Sequence, residues 1–258
     1  MSPTDFVIIL IAGMAAGTIN TVVGSGSLIT FPTLLALGYP PVLANVSNNI
    51  GLVPGAISGV YGYRRELVGQ RPRLQQLIPA SVLGGATGST LLLVLPSRVF
   101  QKVVIVLIAI ALVLVVIQPW LSRTLAVRRK ERLARTGGAP ADHGVTPALV
   151  GLVYFTGVYG GYFGAAQGII LIAVLGIFLD DELQRLNATK NVLAMTVNSV
   201  AAVVFVFTTD VDWKVVAAIA IGSTIGGQIG AKVGRRLNPK MLRAVIVIVG
   251  LTALIRLL

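Results

Sequence analysis

Apolar runs long enough to cross a lipid bilayer recur along almost the whole sequence. They cover residues 6–37, 45–63, 74–95, 99–121, 145–179, 189–207, 213–234 and 241–257. Charged residues make up only 12% of the chain, against about 25% in a soluble domain. Because a membrane-spanning helix needs about 20 apolar residues, the sequence predicts an all-α polytopic membrane protein with about 8 to 10 membrane segments.

The first and fifth apolar runs are too long for a single upright helix. A straight helix of such length would measure about 50 Å, whereas the hydrocarbon core is about 30 Å thick. Each run is either one long tilted helix or a broken helix pair that returns to its starting side. Small and polar residues mark the two breaks: Asn20, Thr21, Gly24, Ser25, Gly26 and Ser27 in the first, and residues 159–168, with Tyr162, Gly164, Gln167 and Gly168, in the second.

The two halves of the sequence resemble each other. An Asn-x-(Ser/Thr)-x-Asn motif occurs at residues 45–49 and again at 187–191, a shift of 142 residues that also places Gly26 on Gly168. Segments follow in the same order in both halves. We interpret residues 1–121 and 145–258 as two membrane repeats. The stretch between them, residues 122–144, is predicted to be a solvated, partly disordered basic linker.

Basic residues predict the topology. If both long runs are returning pairs, all 21 Lys and Arg residues lie on one side except Arg98, Lys102, Lys214 and Arg256. The positive-inside rule favours this arrangement strongly. It places the N-terminus outside and the 122–144 loop in the cytoplasm. The halves then become two inverted repeats, each a broken helix pair plus three transmembrane helices, as in many secondary transporters.

Polar residues inside apolar segments predict a site for an anion. Irregular backbone at membrane depth persists only where it is buried in protein or lines a cavity, and helix starts after the breaks, at Gly26 and Gly168, offer N–H groups to an anion. Lys190 either supplies positive charge to that anion or extends to the cytoplasmic surface. The remaining candidates are the motif amides Asn45, Asn48, Asn49, Asn187 and Asn191, together with Asn198 further along the same segment.

Two simpler roles are also open for some of these residues. Asn45 and Asn187 are plausible helix N-caps. Other glycines are expected to bring helices close together, as small residues do in membranes. These glycines are Gly13, Gly17, Gly84, Gly85, Gly88, Gly222, Gly226 and Gly230.

The sequence lacks the residues that catalysis, metal binding and proton relays require. The chain contains no cysteine, and no Asp, Glu or His lies within a predicted span, so the sequence predicts no catalytic residue, metal site or cofactor. A carboxylate or histidine proton relay also lacks its parts. The net charge of +12 sits at the ends of apolar runs, which indicates anionic membrane lipids rather than nucleic acid as its partner.

The glycine-rich stretch from Gly17 to Asn49, in which residues 24–32 lead into the motif at 45–49, resembles the TauE/SafE family of membrane permeases, the sulfite exporters. Residues 159–168, followed by the motif at 187–191, are similar to the second half of that family. The resemblance covers nearly the whole chain apart from the linker. It implies transport of sulfite, organosulfonates or related small sulfur-containing anions across a bacterial cytoplasmic membrane.

Three functions compete at this stage. The leading hypothesis is a secondary transporter in which both breaks and both Asn motifs form one anion site. An anion channel could use the same site as a selectivity filter. A membrane scaffold that docks partners on the basic 122–135 loop would have no need of two matched polar breaks.

Overall fold

The structure is a computed structural model that describes residues 1–135, 144–233 and 239–257. These residues form ten α-helices and no strand, which confirms the all-α prediction. The helices are α1 (Pro3–Val22), α2 (Ser27–Ala36), α3 (Pro41–Gly62), α4 (Arg71–Val94), α5 (Ser97–Arg135), α6 (Pro147–Tyr162), α7 (Gln167–Phe178), α8 (Leu183–Thr208), α9 (Trp213–Val233) and α10 (Pro239–Leu257).

Five of these helices are long and apolar enough to cross a membrane: α1, α4, α5, α8 and α9. The two shortest, α2 with 10 residues and α7 with 12, are half-length pieces that each follow a longer helix. Both long sequence runs are therefore broken helix pairs, and the single tilted helix is excluded for each.

Helix starts follow local capping rules. In α1, the Ser2 hydroxyl accepts from the Asp5 N–H while the Asp5 carboxylate accepts from the Ser2 N–H, which makes a capping box. Thr146 accepts from the Leu149 N–H at the start of α6. Proline occupies the first turn of several helices, where its missing N–H costs nothing.

Helix contacts repeat when α1–α5 are exchanged with α6–α10. The α1–α9 contact corresponds to α4–α6, and α3–α9 corresponds to α4–α8. The α2–α10 contact corresponds to α5–α7, whereas α3–α8 and α5–α10 map onto themselves. Two equivalent halves that pack against each other generate this pattern. Their opposite orientation in the membrane stays a prediction.

Glycines line the closest helix contacts, as the sequence predicted for eight of them. A Cβ added at any of these positions would come within about 3.1 Å of another helix. In α4, Gly88 faces the Val158 carbonyl of α6, and in α9, Gly226 faces the Met14 carbonyl of α1. The prediction of close packing at these glycines is confirmed.

The N-cap interpretation of two asparagines is wrong. The N-cap residues of α3 and α8 are Pro40 and Glu182, so both helices begin one turn earlier than the Asn motifs. Asn45 and Asn187 therefore lie inside the helices, where all backbone N–H groups beyond the first turn have partners. Their side chains are free to act elsewhere.

The linker prediction also needs correction over residues 122–135. Helix α5 continues without interruption to Arg135, because Ala, Leu, Arg, Lys and Glu in this stretch all favour helix. The rest of the predicted linker, including His143, falls largely outside the described residues.

The glycine contacts predict a matched set of stability changes. Gly88→Ala and Gly226→Ala would each place a Cβ 2.0 Å from a backbone carbonyl oxygen of the neighbouring helix. Such overpacking costs about 1–3 kcal/mol, so both variants should melt at lower temperature in detergent. Gly151→Ala is the control, because its Cβ meets open space and alanine favours helix by about 1 kcal/mol. Equal melting temperatures for all three variants would contradict this account.

Candidate functional site

The two helix breaks touch each other near the centre of the protein. One break runs between Val22 and Ser27, the other between Tyr162 and Gln167. The Gly168 N–H of the second break donates to the Gly24 carbonyl of the first at 3.0 Å. A Cβ on Gly24 would lie 2.4 Å from the Gly168 Cα. Only glycine permits two backbones to approach so closely.

The residues of the two breaks that match in the structure are not the pair that the shift of 142 residues matches in the sequence. Gly24 and Gly164 both have positive φ, +88° and +77°, and each lies two residues after the end of its helix. The shift of 142 residues instead paired Gly26 with Gly168. The difference arises because α7 has 12 residues and α2 has 10, so the alignment moves by two between the breaks and the Asn motifs.

Asparagines from each half hold the broken helix of the other half. Asn45 on α3 donates from Nδ2 to the Tyr162 carbonyl at the end of α6, at 3.0 Å. In the other half, Asn187 and Asn191 on α8 each donate from Nδ2 to the Thr21 carbonyl near the end of α1, at 3.4 Å. The two motifs therefore act across the interface between the halves. That they form one shared binding site stays a prediction.

Lys190 lies in the same place and is only 1% exposed. Its Nζ donates to the carbonyl oxygens of Asn20 and Thr21, both at 3.3 Å. Extension of this side chain to the cytoplasmic surface, one of the two roles left open by the sequence, is excluded by its burial. Within the described part of the chain, Lys190 forms no ion pair with an acidic side chain.

The carbonyls that Lys190 contacts are available because of the break itself. The N–H groups of Val23 and Gly24 both donate to the Ile19 carbonyl, at 2.7 and 3.0 Å. This leaves the carbonyls of the last turn of α1 without the helical donors that a continuing helix would supply. The C-terminal end of a helix also carries partial negative charge, which favours a cation there.

A small cavity of about 10 Å³ adjoins Lys190, close to the least that can hold one water molecule. Two alanines that sequence reasoning missed complete its wall. Ala194 follows Lys190 by four residues and so shares its helix face, a signal that was present; nothing in the sequence indicated Ala56. The lining residues are Asn20, Thr21, Gly24, Ala56, Lys190, Asn191 and Ala194.

Buried polar atoms without a protein partner occur at both breaks and in both Asn motifs. The hydroxyl of Ser25, the Nε2 of Gln167 and the hydroxyl of Tyr162 have none, nor do the Oδ1 atoms of Asn49 and Asn187. Ser25 is 1% exposed and Gln167 is 3% exposed. A buried polar group without a partner costs about 1–3 kcal/mol, so each of these atoms calls for an explanation such as a bound water or ligand.

Other predicted site residues have structural partners. Asn48 donates to the Ser27 hydroxyl at 3.2 Å and accepts from the Thr30 hydroxyl. Gly26 packs against the Ala16 carbonyl of its own broken pair. Asn198 is buried on α8 but is not among the residues lining the cavity beside Lys190.

Several backbone N–H groups after the breaks are already bonded. The Gly168 N–H reaches Gly24, and the N–H groups of Leu28, Ile29 and Ile169 donate to carbonyls of the preceding turn. These four N–H groups are therefore occupied, and an anion here would need other backbone donors or side chains.

Aromatic rings cover the site on the side where α3 and α5 begin. Phe163, the residue after α6, makes edge contacts with Phe31 at 5.2 Å and Phe100 at 6.3 Å between ring centroids. Phe100 also contacts Tyr162 at 5.7 Å. Each such pair contributes about 0.5–1.5 kcal/mol beyond its buried area.

A polar network, which we call the ionic latch, joins the starts of α4 and α8. Asp181 accepts from Arg73 at 2.7 Å and from Arg185 at 2.8 Å. Gln70 donates to the Arg185 carbonyl at 3.0 Å and accepts from the Thr189 hydroxyl at 2.5 Å. Thr189 directly precedes Lys190, so the latch covers the side of the site opposite to the aromatic rings. A cavity of about 230 Å³ lies beside it.

The fold and the paired breaks define a polytopic helical membrane protein with a polar site between two equivalent halves. Over residues 9–257 the sequence matches the family model described as "Sulfite exporter TauE/SafE". The chain belongs to this family of membrane transporters, and the resemblance seen in the sequence is confirmed.

Curated relatives carry transporter names. The chain is 28% identical over 246 residues to a "Probable membrane transporter protein" of Haemophilus influenzae, covering 94% of this chain and 90% of the relative. It is 25% identical over 253 residues to the "Probable membrane transporter protein YfcA" of Escherichia coli, covering 97% and 88%. A "Probable membrane transporter protein ORF9" of Sinorhizobium sp. is 27% identical over 254 residues, with 97% and 91% covered. No solved structure matches.

The contact between the two breaks predicts how a methyl group added to either glycine changes the stability of the protein. Gly24→Ala combines an unfavourable positive φ with a Cβ 2.4 Å from Gly168, whereas Gly168→Ala has the clash alone, at 2.5 Å from the Gly24 Cα. Gly38→Ala is the control, because φ is +87° there and nothing lies within 4 Å. It should cost about 1–2 kcal/mol. The melting temperature should fall more for both break variants than for Gly38→Ala; the reverse order would contradict the contact.

The ionic latch predicts a dependence of stability on acid. Burial alone would raise the pKa of Asp181, but hydrogen bonds from Arg73 and the Glu182 N–H, with the charge of Arg185, hold this pKa below its ordinary value. A lowered carboxyl pKa stabilises the fold above the unfolded-state value of about 3.9, and this stabilisation is lost as the pH falls through the folded-state pKa.

Asp181→Asn should therefore lower the melting temperature at pH 7 by a few degrees, since each kcal/mol shifts it by about 2–4 °C. The difference from the unmodified protein should shrink below about pH 4. Asp210→Asn, at an exposed loop position, is the control and should melt like the unmodified protein at both pH values. A constant difference across this pH range would refute the ionic role of Asp181.

Proposed function

We propose that the protein is a secondary transporter that moves small sulfur-containing anions, such as sulfite or organosulfonates, across the bacterial cytoplasmic membrane. The observation that carries this proposal is the burial of Lys190 at the contact between the two breaks without an acidic partner. A buried cation of this kind favours an anionic ligand.

The free-energy cost of burying the Lys190 charge can be compared with the free energy that capping α1 returns. An unpaired buried ammonium retains an effective desolvation cost of several kcal/mol in proteins. The negative end of α1 returns at most about 2 kcal/mol, and the two carbonyl bonds are long, at 3.3 Å. Capping α1 therefore offsets part of the cost of the charge. A bound anion would lower the cost further.

The unpaired donors fit an oxyanion. Lys190 supplies one positive charge, while Ser25, Gln167 and Tyr162 supply neutral donors from the same pair of breaks. A sulfur oxyanion presents several acceptor oxygens around one centre, and so suits donors of this kind where the movement of the halves brings them to one place. One cation among neutral donors suits a singly charged anion, such as hydrogensulfite or an organosulfonate.

Closure on both sides favours a carrier over a channel. The cavity beside Lys190, at about 10 Å³, is close to the least that can hold one water molecule, so a sulfur oxyanion needs the halves to move apart. In the proposed cycle, the aromatic rings and the ionic latch open alternately as one half rocks against the other. The exchange pattern of helix contacts supports two equivalent halves. Their inverted orientation, with the N-terminus outside and the latch facing the cytoplasm, is part of the proposal and rests on the positive-inside rule.

A flux assay with matched lysine variants tests the proposal. Purified protein in liposomes should take up radiolabelled sulfite or an organosulfonate. Lys190→Met, which keeps an apolar chain of similar length, should reduce uptake by at least about tenfold, the equivalent of about 1.4 kcal/mol. Lys214→Met is the control, since Lys214 is exposed at the start of α9, and should transport normally.

Binding is measured separately, so that a failure to fold is not mistaken for lost transport. A ligand that binds only the folded state raises its melting temperature, so sulfite should stabilise the unmodified protein and Lys214→Met but not a folded Lys190→Met. Normal uptake by Lys190→Met, or no flux of any sulfur oxyanion through the unmodified protein, would overturn the proposal. Currents at channel rates would favour the channel.

A further inference from the structure

Lys190 occupies a position that in many transporters belongs to a dissolved cation. Where a membrane helix is broken, the C-terminal end of the first piece exposes carbonyls, and these commonly coordinate a coupling ion such as Na⁺. In this protein the first piece is α1, and its exposed carbonyls are those of Asn20 and Thr21. The Lys190 ammonium lies on both at 3.3 Å.

The Thr21 carbonyl is the centre of this arrangement. It accepts from the Nδ2 atoms of Asn187 and Asn191 as well as from Lys190. A carbonyl oxygen has two lone pairs, so three donors share them, which accounts for distances of 3.3–3.4 Å. The carbonyls of Asn20 and Thr21 hold the ammonium as oxygen ligands hold a metal ion, except that the cation is covalently attached to α8.

The other half of the protein has no such charge. The residue equivalent to Lys190 in the first motif is Asn48, which bonds to Ser27 and Thr30 of α2 within its own half. The end of α6, equivalent to the end of α1, receives the neutral amide of Asn45. Of these two equivalent helix ends, only the end of α1 therefore holds a cation, and this cation is the Lys190 side chain.

We infer that the Lys190 ammonium is a built-in replacement for a coupling cation, so that the protein moves its anion without binding Na⁺ or another cation from solution. The inference rests on the proposed function of anion transport. Positive charge then stays with the protein through the cycle, and the charge moved is that of the anion alone. Flux should follow the membrane potential, with about a tenfold gradient per 60 mV for a singly charged anion.

Liposomes with equal pH on both sides distinguish transport driven by the membrane potential from transport coupled to a Na⁺ gradient. An organosulfonate, which stays singly charged, is the probe. Flux should be unchanged when Na⁺ is replaced by N-methylglucammonium, and should respond to a K⁺ diffusion potential set by valinomycin. Flux that follows a Na⁺ gradient at zero potential overturns this inference but leaves anion transport standing. Absence of flux under every condition overturns both.

Chemical rescue tests the ammonium directly. Lys190→Ala leaves space beside the Asn20 and Thr21 carbonyls, so organosulfonate flux should be lost in N-methylglucammonium and restored by methylammonium, which fits that space. Lys214→Ala is the control and should need no added amine. Full flux through Lys190→Ala without a small cation overturns the inference. So does a folded Lys190→Ala protein, verified by its melting transition, that methylammonium does not restore.

Discussion

The contact between Gly24 and Gly168 is the constraint on which the rest of the site depends. Two interrupted backbones meet at a distance that no side chain would allow. This contact brings the end of α1 beside α8 and the end of α6 beside α3, so that the amides of each motif reach the broken helix of the opposite half. If one added methyl group pushed the breaks apart, the Asn side-chain amides that bond to the opposite half would be drawn away from their carbonyl partners. Buried carbonyls would then be left unpaired.

Because the two halves are nearly equivalent, the difference in charge between Asn48 and Lys190 is informative. Both breaks have a glycine at positive φ and both receive asparagine donors, yet only α8 places a charge there. A duplicated site starts with equal ends, so neutral Asn48 and charged Lys190 at equivalent positions represent a division of roles. The end of α1 carries the cation, whereas Asn48 ties α3 to α2. The anion of the proposed cycle would meet an electrostatically uneven site here, which would give it a preferred orientation.

Much of this arrangement could be predicted from the sequence, and the part that could not has clear physical causes. Apolar length and glycine content predicted the helices and both breaks, because the bilayer fixes helix length. Spacing alone could not locate the N-caps of α3 and α8, since these helices begin after Pro40 and Glu182, neither of which makes a side-chain capping bond. Nor could it decide the direction of the Lys190 side chain, which depends on carbonyls 170 residues away in sequence. The ionic latch is non-local in the same way, because Arg73 and Asp181 meet only once the halves are packed.

The relative strengths of the aromatic contacts and the ionic latch, which close the site on its two sides, affect how a carrier of this design could work. Three aromatic pairs on one side contribute about 0.5–1.5 kcal/mol each. On the other side, partly exposed ion pairs contribute about 0–1 kcal/mol each, and the more buried bonds of Gln70 about 0.5–1.5 kcal/mol each. These pairwise contributions are of similar size although the chemistry differs, and burial of the rings adds further to the aromatic side. A ligand can shift populations only where the open forms lie within a few kcal/mol of the closed one. In the proposed cycle, an anion would neutralise Lys190 and leave the rings unaffected, so its arrival would act first on the helix ends beneath the ionic latch.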